Sequence, residues 1–346
     1  MRKEQIISIL VVAMSLGTAW AVRGHFGHEQ GAAWAGGIGA LALVLVSRRK
    51  DWYNKMFLIA LSSAFGWGVT GMMSYGIVVG YGRSDNFPNA FYGLLMLFVI
   101  GGLFGLLGGG LTGLTLESSK EKKVKWASLL AQMLAGGLIV YGFLVKQLEW
   151  LMTPPRNETW AICLGASLAM FWYMARNQFR SSLRVAVLTG LGAGFGFAFG
   201  NFLQTAGTVL EIRFNMWNVM EYSIGFFGGS ALAYSIFTSK WPETLLPPKP
   251  WENIAAFLLL FGLIPLVVFQ QSLQSGLLSE RFKMFEFVSA GTALFSSIAS
   301  VLILGTSAVV GWFHIKKACL SFGRKNVLFL FLLYFAVYIA LGYIVN

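Results

Sequence analysis

The chain has 346 residues, of which 56% are hydrophobic and only 12% charged, and its formal net charge is +12. A water-soluble domain keeps roughly a quarter of its residues charged, so this composition excludes a soluble globular protein. The basic excess does not point to nucleic acid either, because Lys and Arg sit in short loops between apolar runs and form no patch on a folded domain.

Inside a bilayer every backbone polar group must be paired within the protein, which leaves helices and closed barrels. The apolar runs here are continuous rather than alternating, and that excludes a barrel. A helical span needs about 20 mostly apolar residues. In chain order the candidates are 5–22, 31–47, 56–80, 90–115, 127–145, 158–175, 185–204, 219–238, 253–270, 285–313 and 326–345. The first has no small-residue cleavage site before Arg23 and reads as a span, not a removed signal. The expected fold class is therefore an all-α polytopic integral membrane protein, one transmembrane domain over 1–346 with about eleven helices in a tightly packed Gly-rich bundle. Pro265 lies inside the ninth candidate and predicts a kink there.

The loops set the orientation. Alternate loops, beginning with the N-terminal one, hold 19 Lys and Arg, whereas the opposite set holds 7. By the positive-inside rule the N-terminus is cytoplasmic and, with eleven spans, the C-terminus lies outside. The expected location is a plasma or bacterial inner membrane. The longest cytoplasmic connector, 241–251, carries Pro242, Pro247, Pro248 and Pro250. Cys163 in a span and Cys319 in a loop are expected at different depths, too far apart to bridge.

Glycine recurs with a period. Gly101, Gly105, Gly109 and Gly113 are spaced by four, as are Gly192, Gly196 and Gly200. Residues four apart share a helix face, and bare backbone stripes let membrane helices approach closely. A faint parallel repeat relates 5–47 to 185–238. In each unit a Glu (Glu29, Glu221) is followed at seven and eight residues by paired glycines, Gly36-Gly37 and Gly228-Gly229.

Ionisable residues at membrane depth are costly and usually functional. The stretch from Arg23 to Gln30 joins two spans and, if helical, sets His25, His28 and Glu29 on one face. A second outer loop supplies Arg83 and Asp85, with Asn86 and Asn89. A third supplies Glu211, Arg213 and Glu221, with Asn201 and Gln204 closing the span before it. The expected substrate-binding set is Arg23, His25, His28, Glu29, Arg83, Asp85, Asn201, Gln204, Glu211, Arg213 and Glu221. These residues are expected to converge on one water-accessible cavity lined by Trp20, Trp34, Tyr75, Tyr81, Trp217 and Tyr222. Interfacial snorkelling is an equal alternative for Arg23 and Arg213, as helix capping is for Glu29 and Glu221. Glu158 and Glu286 are expected only to cap helices. The tripeptide Asn157-Glu158-Thr159 matches a glycosylation sequon but abuts the membrane.

No H-E-x-x-H or other fixed zinc pattern and no G-x-x-x-x-G-K-[ST] loop occurs, so neither metal, ATPase domain nor other cofactor is expected. The foremost functional expectation is a secondary transporter of a small polar solute, sugar-like, zwitterionic or anionic, opening to the non-cytoplasmic side. The alternative is a membrane-embedded acyl or glycosyl transferase acting on a lipid-linked substrate, with His25 or His28 as base beside Glu29. A midplane nearly bare of charge favours that alternative over ion-coupled transport. A scaffold subunit meeting a protein partner is the third reading, and oligomeric state stays open.

Overall fold

Lys3–Arg23 (α1) and His28–Ser47 (α2) form the first hairpin. It turns through a 3₁₀ segment at Gly24–Phe26 and through Gly27, whose φ of 90° is a conformation that favours glycine. A short helix, Lys50–Asn54 (α3), leads into Met56–Val69 (α4), and a break at residues 70–75 separates α4 from Gly76–Gly82 (α5). Phe87–Glu117 (α6) crosses back, followed by Trp126–Tyr141 (α7) and Trp160–Arg176 (α8). A second long hairpin consists of Arg180–Val209 (α9) and Met216–Phe237 (α10). Pro250–Leu258 (α11), Ile264–Val268 (α12), Ser275–Phe282 (α13), Ala290–Lys317 (α14) and Arg324–Val345 (α15) complete the chain.

The computed structural model describes residues 3–152, 158–243, 248–283, 290–318 and 321–345; Arg156, Asn157, Pro247, Glu286 and Cys319 lie outside them. Helix makes up 85% of the structure, and no strand occurs among the described residues. Eight helices are long and apolar enough to cross a membrane, or nine if the bent pair at residues 56–82 is counted as one crossing. This is a lower count than the eleven expected stretches, for three local reasons. The run 56–80 is not one helix, since its halves are bent by 71°. Helix α8 has only 17 residues. Helix α10 has 22, but Asn218, Glu221, Ser223 and Ser230 dilute its apolar character.

Pro265 lies in α12, between π-helical turns at Leu259–Leu263 and Phe269–Leu273. Proline lacks an N–H and crowds the preceding turn, so the helix widens around it.

Six helices close a ring: α1 packs on α2, α2 on α4, α4 on α6, α6 on α9, α9 on α10, and α10 back on α1. Glycine faces permit the tight contacts. A Cβ at Gly105 would collide with the Thr189 backbone, and one at Gly225 with the Leu16 carbonyl and Trp20. Large aromatic rings fill the centre. Trp20 meets Trp67 edge-on at 5.1 Å and Phe104 at 5.5 Å, and Phe104 stacks on Phe197 at 5.4 Å. Each ring comes from a different helix (α1, α4, α6, α9), and all four side chains are fully buried.

The two ends of the bundle differ. At one end Arg48 pairs with Glu4, Arg49 bonds the Pro242 carbonyl, Lys55 the Ser118 carbonyl and Lys122 the Gln178 carbonyl. Asn54 ties the start of α11 and Phe322 to the same end. The loops rich in Lys and Arg thus gather together. The turns holding Arg23, His28, Arg83 and Arg213 lie at the other end, along with the ion pair described next.

Candidate functional site

The break between α4 and α5 creates the site. Thr70 turns its hydroxyl back onto the Gly66 and Trp67 carbonyls, and Gly71 packs against the His28 carbonyl and the Glu29 Cα, where any Cβ would clash. Such local side-chain bonding competes with continuation of the helix. A carbonyl exposed by the break finds a protein donor, as membrane depth requires. Met72 O accepts from the Thr159 hydroxyl at 2.8 Å; farther on, within α5, Val79 O accepts from Asn201 Nδ2 at 3.3 Å. The result places Tyr75 just before α5, its ring edge-on to Phe197 at 5.0 Å.

Tyr75 completes a buried ionic cluster. Arg23, at the C-terminal end of α1, donates from Nη2 to Glu221 Oε2 at 2.9 Å and Oε1 at 3.1 Å. The Arg23 side chain is 1% and the Glu221 side chain 2% exposed, so the pair is shut off from water. Tyr75 accepts from Arg23 Nη2 and donates its hydroxyl to Glu221 Oε1 at 2.9 Å. The guanidinium carbon also sits 5.2 Å from the Trp20 ring centre and 5.4 Å from that of Tyr75, a cation–π arrangement on two sides. Glu221 lies five residues inside α10, about 8 Å below the helix start at 1.5 Å per residue. The aromatic plug of Trp20, Trp67, Phe104 and Phe197 lies directly against this cluster.

Arg23 Nη1 meets His28 Nδ1 at 3.1 Å. A guanidinium only donates, so Nδ1 accepts and the neutral ring carries its proton on Nε2. His28 is itself exposed, edge-on to Tyr75 at 5.5 Å. Arg23 Nε is buried with no acceptor among the described residues. Such an unmet donor costs about 1–3 kcal/mol.

The other expected residues distribute differently. Gly27 interrupts the stretch 23–30, so His25, in the 3₁₀ turn, and His28 and Glu29, in α2, do not share one helix face. The His25 carbonyl accepts from Arg281 at 3.5 Å, and Glu29 is exposed at the start of α2. Glu29 and Glu221, the matched glutamates of the faint repeat, thus occupy opposite environments. Asn201 and Gln204 are buried and bonded to each other at 3.4 Å, supporting α5 rather than touching the ion pair. Arg83, Asp85, Glu211 and Arg213 are exposed on the turns above. Glu158 accepts from the Met152 N–H and the Trp160 indole, each at 2.8 Å.

The aromatic residues also separate. Trp20 and Tyr75 belong to the cluster, whereas Trp34 joins Phe26, Tyr334 and Tyr338, Tyr81 pairs with Tyr92, and Tyr222 stacks on Phe226. Trp217 is 41% exposed. Among the described residues no group of three or more His, Cys, Asp or Glu could hold a metal ion.

No protein family, curated protein or solved structure matches this chain.

Sequence reasoning missed several contributors. Tyr338 donates to the Ala19 carbonyl at 3.1 Å and the Gly31 carbonyl at 3.3 Å, bracing both sides of the Arg23 turn. Gln30 bonds Gln271 across the same end. The only signal for Tyr338 is its spacing of four from Tyr334, which places two phenols on one face of α15.

Proposed function

We propose that this protein is a secondary transporter of a small polar solute bearing an anionic group, with its site opening toward the non-cytoplasmic side. The observation that carries the reading is the Arg23–Glu221 ion pair, buried beside a broken helix at one end of a closed six-helix ring. Discontinuous helices with a polar site at the break are a recurring device of transporters. An isolated buried ion pair gives little or no net stability, because desolvation offsets the attraction. Its retention is therefore accounted for by use.

In this reading Glu221 is the resident counter-ion of Arg23. An incoming carboxylate takes its place, helped by the free Nε donor and the Trp20 and Tyr75 faces. Glu221, left without its cation at low dielectric, takes up a proton, which couples the solute to the proton gradient. The aromatic plug is the floor of the site and blocks passage until the ring rearranges. Charge lies about one and a half turns below the helix ends rather than at the midplane, consistent with a site entered from that side. The positive-inside rule assigns it to the non-cytoplasmic face.

The transferase reading needs a basic nitrogen at His28 or His25. His28 Nδ1 is held by a guanidinium donor and so is not poised to abstract a proton from a substrate, and the Gly27 turn separates His25 from Glu29, the carboxylate that would support it as a base. The test is a thermal-shift screen of the purified chain against sugars, amino acids, organic anions and lipid-linked donors. Stabilisation by a soluble carboxylate, absent in Arg23→Met, is the expected result. Stabilisation only by an acyl donor or lipid-linked sugar would favour the transferase instead.

A further inference from the structure

Trp67 crosses the middle of the ring from α4 and meets bare glycine on three other helices. A Cβ would fall 2.7 Å from its Cδ1 at Gly36 of α2, 2.5 Å from its Nε1 at Gly108 of α6, and 3.1 Å from its Cη2 at Gly228 of α10. Ala193 of α9 stands at the same level, its Cβ 3.5 Å from the Gly228 position. No larger residue fits at Gly36 or Gly108 while the indole keeps this place. The Trp67 N–H is nevertheless buried with no acceptor among the described residues. A ring that only filled space would leave that donor stranded, at a cost.

One turn nearer the basic end the character changes. Residues four apart share a helix face. Ser63 therefore lies beneath Trp67 on α4, Thr112 beneath Gly108 on α6, and Thr189 beneath Ala193 on α9. Ser235, two turns beneath Gly228, continues the face on α10. All four side chains are fully buried. Hydroxyls that hold membrane helices together bond from one helix to another, and of these four only Ser63 does so, to the Gly36 carbonyl at 2.9 Å. Thr112 donates to the Gly108 carbonyl at 2.7 Å and Ser235 to the Leu232 carbonyl at 2.9 Å, each within its own helix. The Thr189 hydroxyl has no partner among the described residues. Farther down, Ser182 of α9 gives its N–H and hydroxyl to the Glu117 carboxylate at 2.8 and 2.7 Å, and Lys122 pairs with that carboxylate at 2.9 Å. These bonds shut the face at the basic end.

We propose that this hydroxyl face is the inner half of the solute path, and that Trp67 is the gate between it and Arg23. The inference rests on the transport reading. When the indole leaves its glycine slot, the path opens from the ion pair to the hydroxyls. The two stranded groups, the Trp67 N–H and the Thr189 hydroxyl, then find their partners in the oxygens of the solute or of the water that accompanies it. A hydroxyl both donates and accepts, so the face can hold a polar solute without a charge that would trap it.

The test uses the full chain in proteoliposomes, in a Cys163→Ala/Cys319→Ala background, with a single cysteine added by Thr189→Cys, Thr112→Cys or Leu191→Cys. Leu191 is 52% exposed on the outer side of α9 and serves as the lipid-facing control. A charged, membrane-impermeant methanethiosulfonate is supplied on both sides, and labelling is followed by mass spectrometry. Thr189→Cys and Thr112→Cys are expected to be labelled and Leu191→Cys to stay unlabelled. Adding Trp67→Ala is expected to speed labelling of Thr189→Cys several-fold; if that variant fails to fold, the single-cysteine proteins still decide. Thr189→Val removes a hydroxyl without a partner, so its unfolding temperature is expected to stay unchanged or rise. No labelling at either buried position overturns the proposal, and if the same protein takes up solute the transport reading survives that result. Labelling without uptake of any solute upholds the path and counts against the solute reading alone. Equal labelling of Leu191→Cys, an unchanged rate in a folded Trp67→Ala protein, or a sharp loss of stability in Thr189→Val would each overturn the proposal.

Discussion

Arg23 is the residue on which the site turns, and its surroundings predict an asymmetric mutational response. Removing one partner of a buried pair leaves the other charge uncompensated, at a cost of about 3–5 kcal/mol. Glu221→Gln and Arg23→Met are each expected to lower the unfolding temperature sharply. The double variant Arg23→Met/Glu221→Leu removes both charges at once and is expected to recover close to wild-type stability, by the same argument. Calorimetry of the four proteins checks this; additive losses would mean that the two side chains do not act as a pair. Tyr75→Phe removes one hydroxyl donor to a carboxylate and is expected to cost about 1.5–3 kcal/mol. Arg23, Glu221 and Tyr75 were legible in the sequence as charged and aromatic residues at membrane depth. Their partnership was not, since Arg23 and Glu221 are 198 residues apart and nothing local encodes which cation meets which anion.

At the scale of elements, the helices were legible because apolar runs and four-residue glycine spacing are local signals. The glycine faces are indeed where helices touch: Gly101, Gly105 and Gly109 of α6 lie against Ala193, Phe197 and Thr189 of α9. Gly105→Leu is expected to force α6 and α9 apart, at a cost of about 1–3 kcal/mol. Gly80, by contrast, has open space around its Cβ position, so Gly80→Ala is expected to be neutral or to stabilise α5 by up to about 1 kcal/mol. Thermal unfolding of the two variants side by side separates close packing from mere glycine content. The break at 70–75 was not legible, because the apolar run continues straight through it. What breaks the helix is Thr70 bonding backward, Gly71 seating the start of α2, and a donor to the Met72 carbonyl from Thr159, which is distant in sequence. For a similar reason the turn at Gly27 divides His25 from His28: a short polar stretch between two spans gives no periodicity from which to judge whether it stays helical.

For the whole molecule, the ring of six helices with a plugged centre explains how a chain so poor in charge keeps an ion pair from water. The ends of the described chain, Lys3 and Val345, fall at opposite ends of the bundle. Glu4 pairs with Arg48 at the basic end, and α15 starts near Asn54 there and runs past Tyr338, which touches Ala19 near the other end. A reporter fused before Lys3 is expected on the cytoplasmic side and one after Val345 outside, as judged by membrane-impermeant labelling of intact cells. Both reporters on the same side would contradict the placement of the ends. The plug has its own consequence. Trp67→Ala removes a fully buried ring at the centre, at a cost of about 3–5 kcal/mol.

The central claim is that Arg23 and Glu221 form a solute site and not merely an internal brace. The most direct measurement is uptake into proteoliposomes of a labelled panel of small carboxylates and amino acids, with an imposed proton gradient, by the wild type and by Arg23→Met/Glu221→Leu. Saturable, gradient-driven uptake by the wild type, abolished in a double variant that unfolds at the wild-type temperature, is the predicted result. Undiminished uptake by that folded double variant would show that the ion pair takes no part in transport, and absence of uptake by the wild type across the panel would contradict the transporter itself.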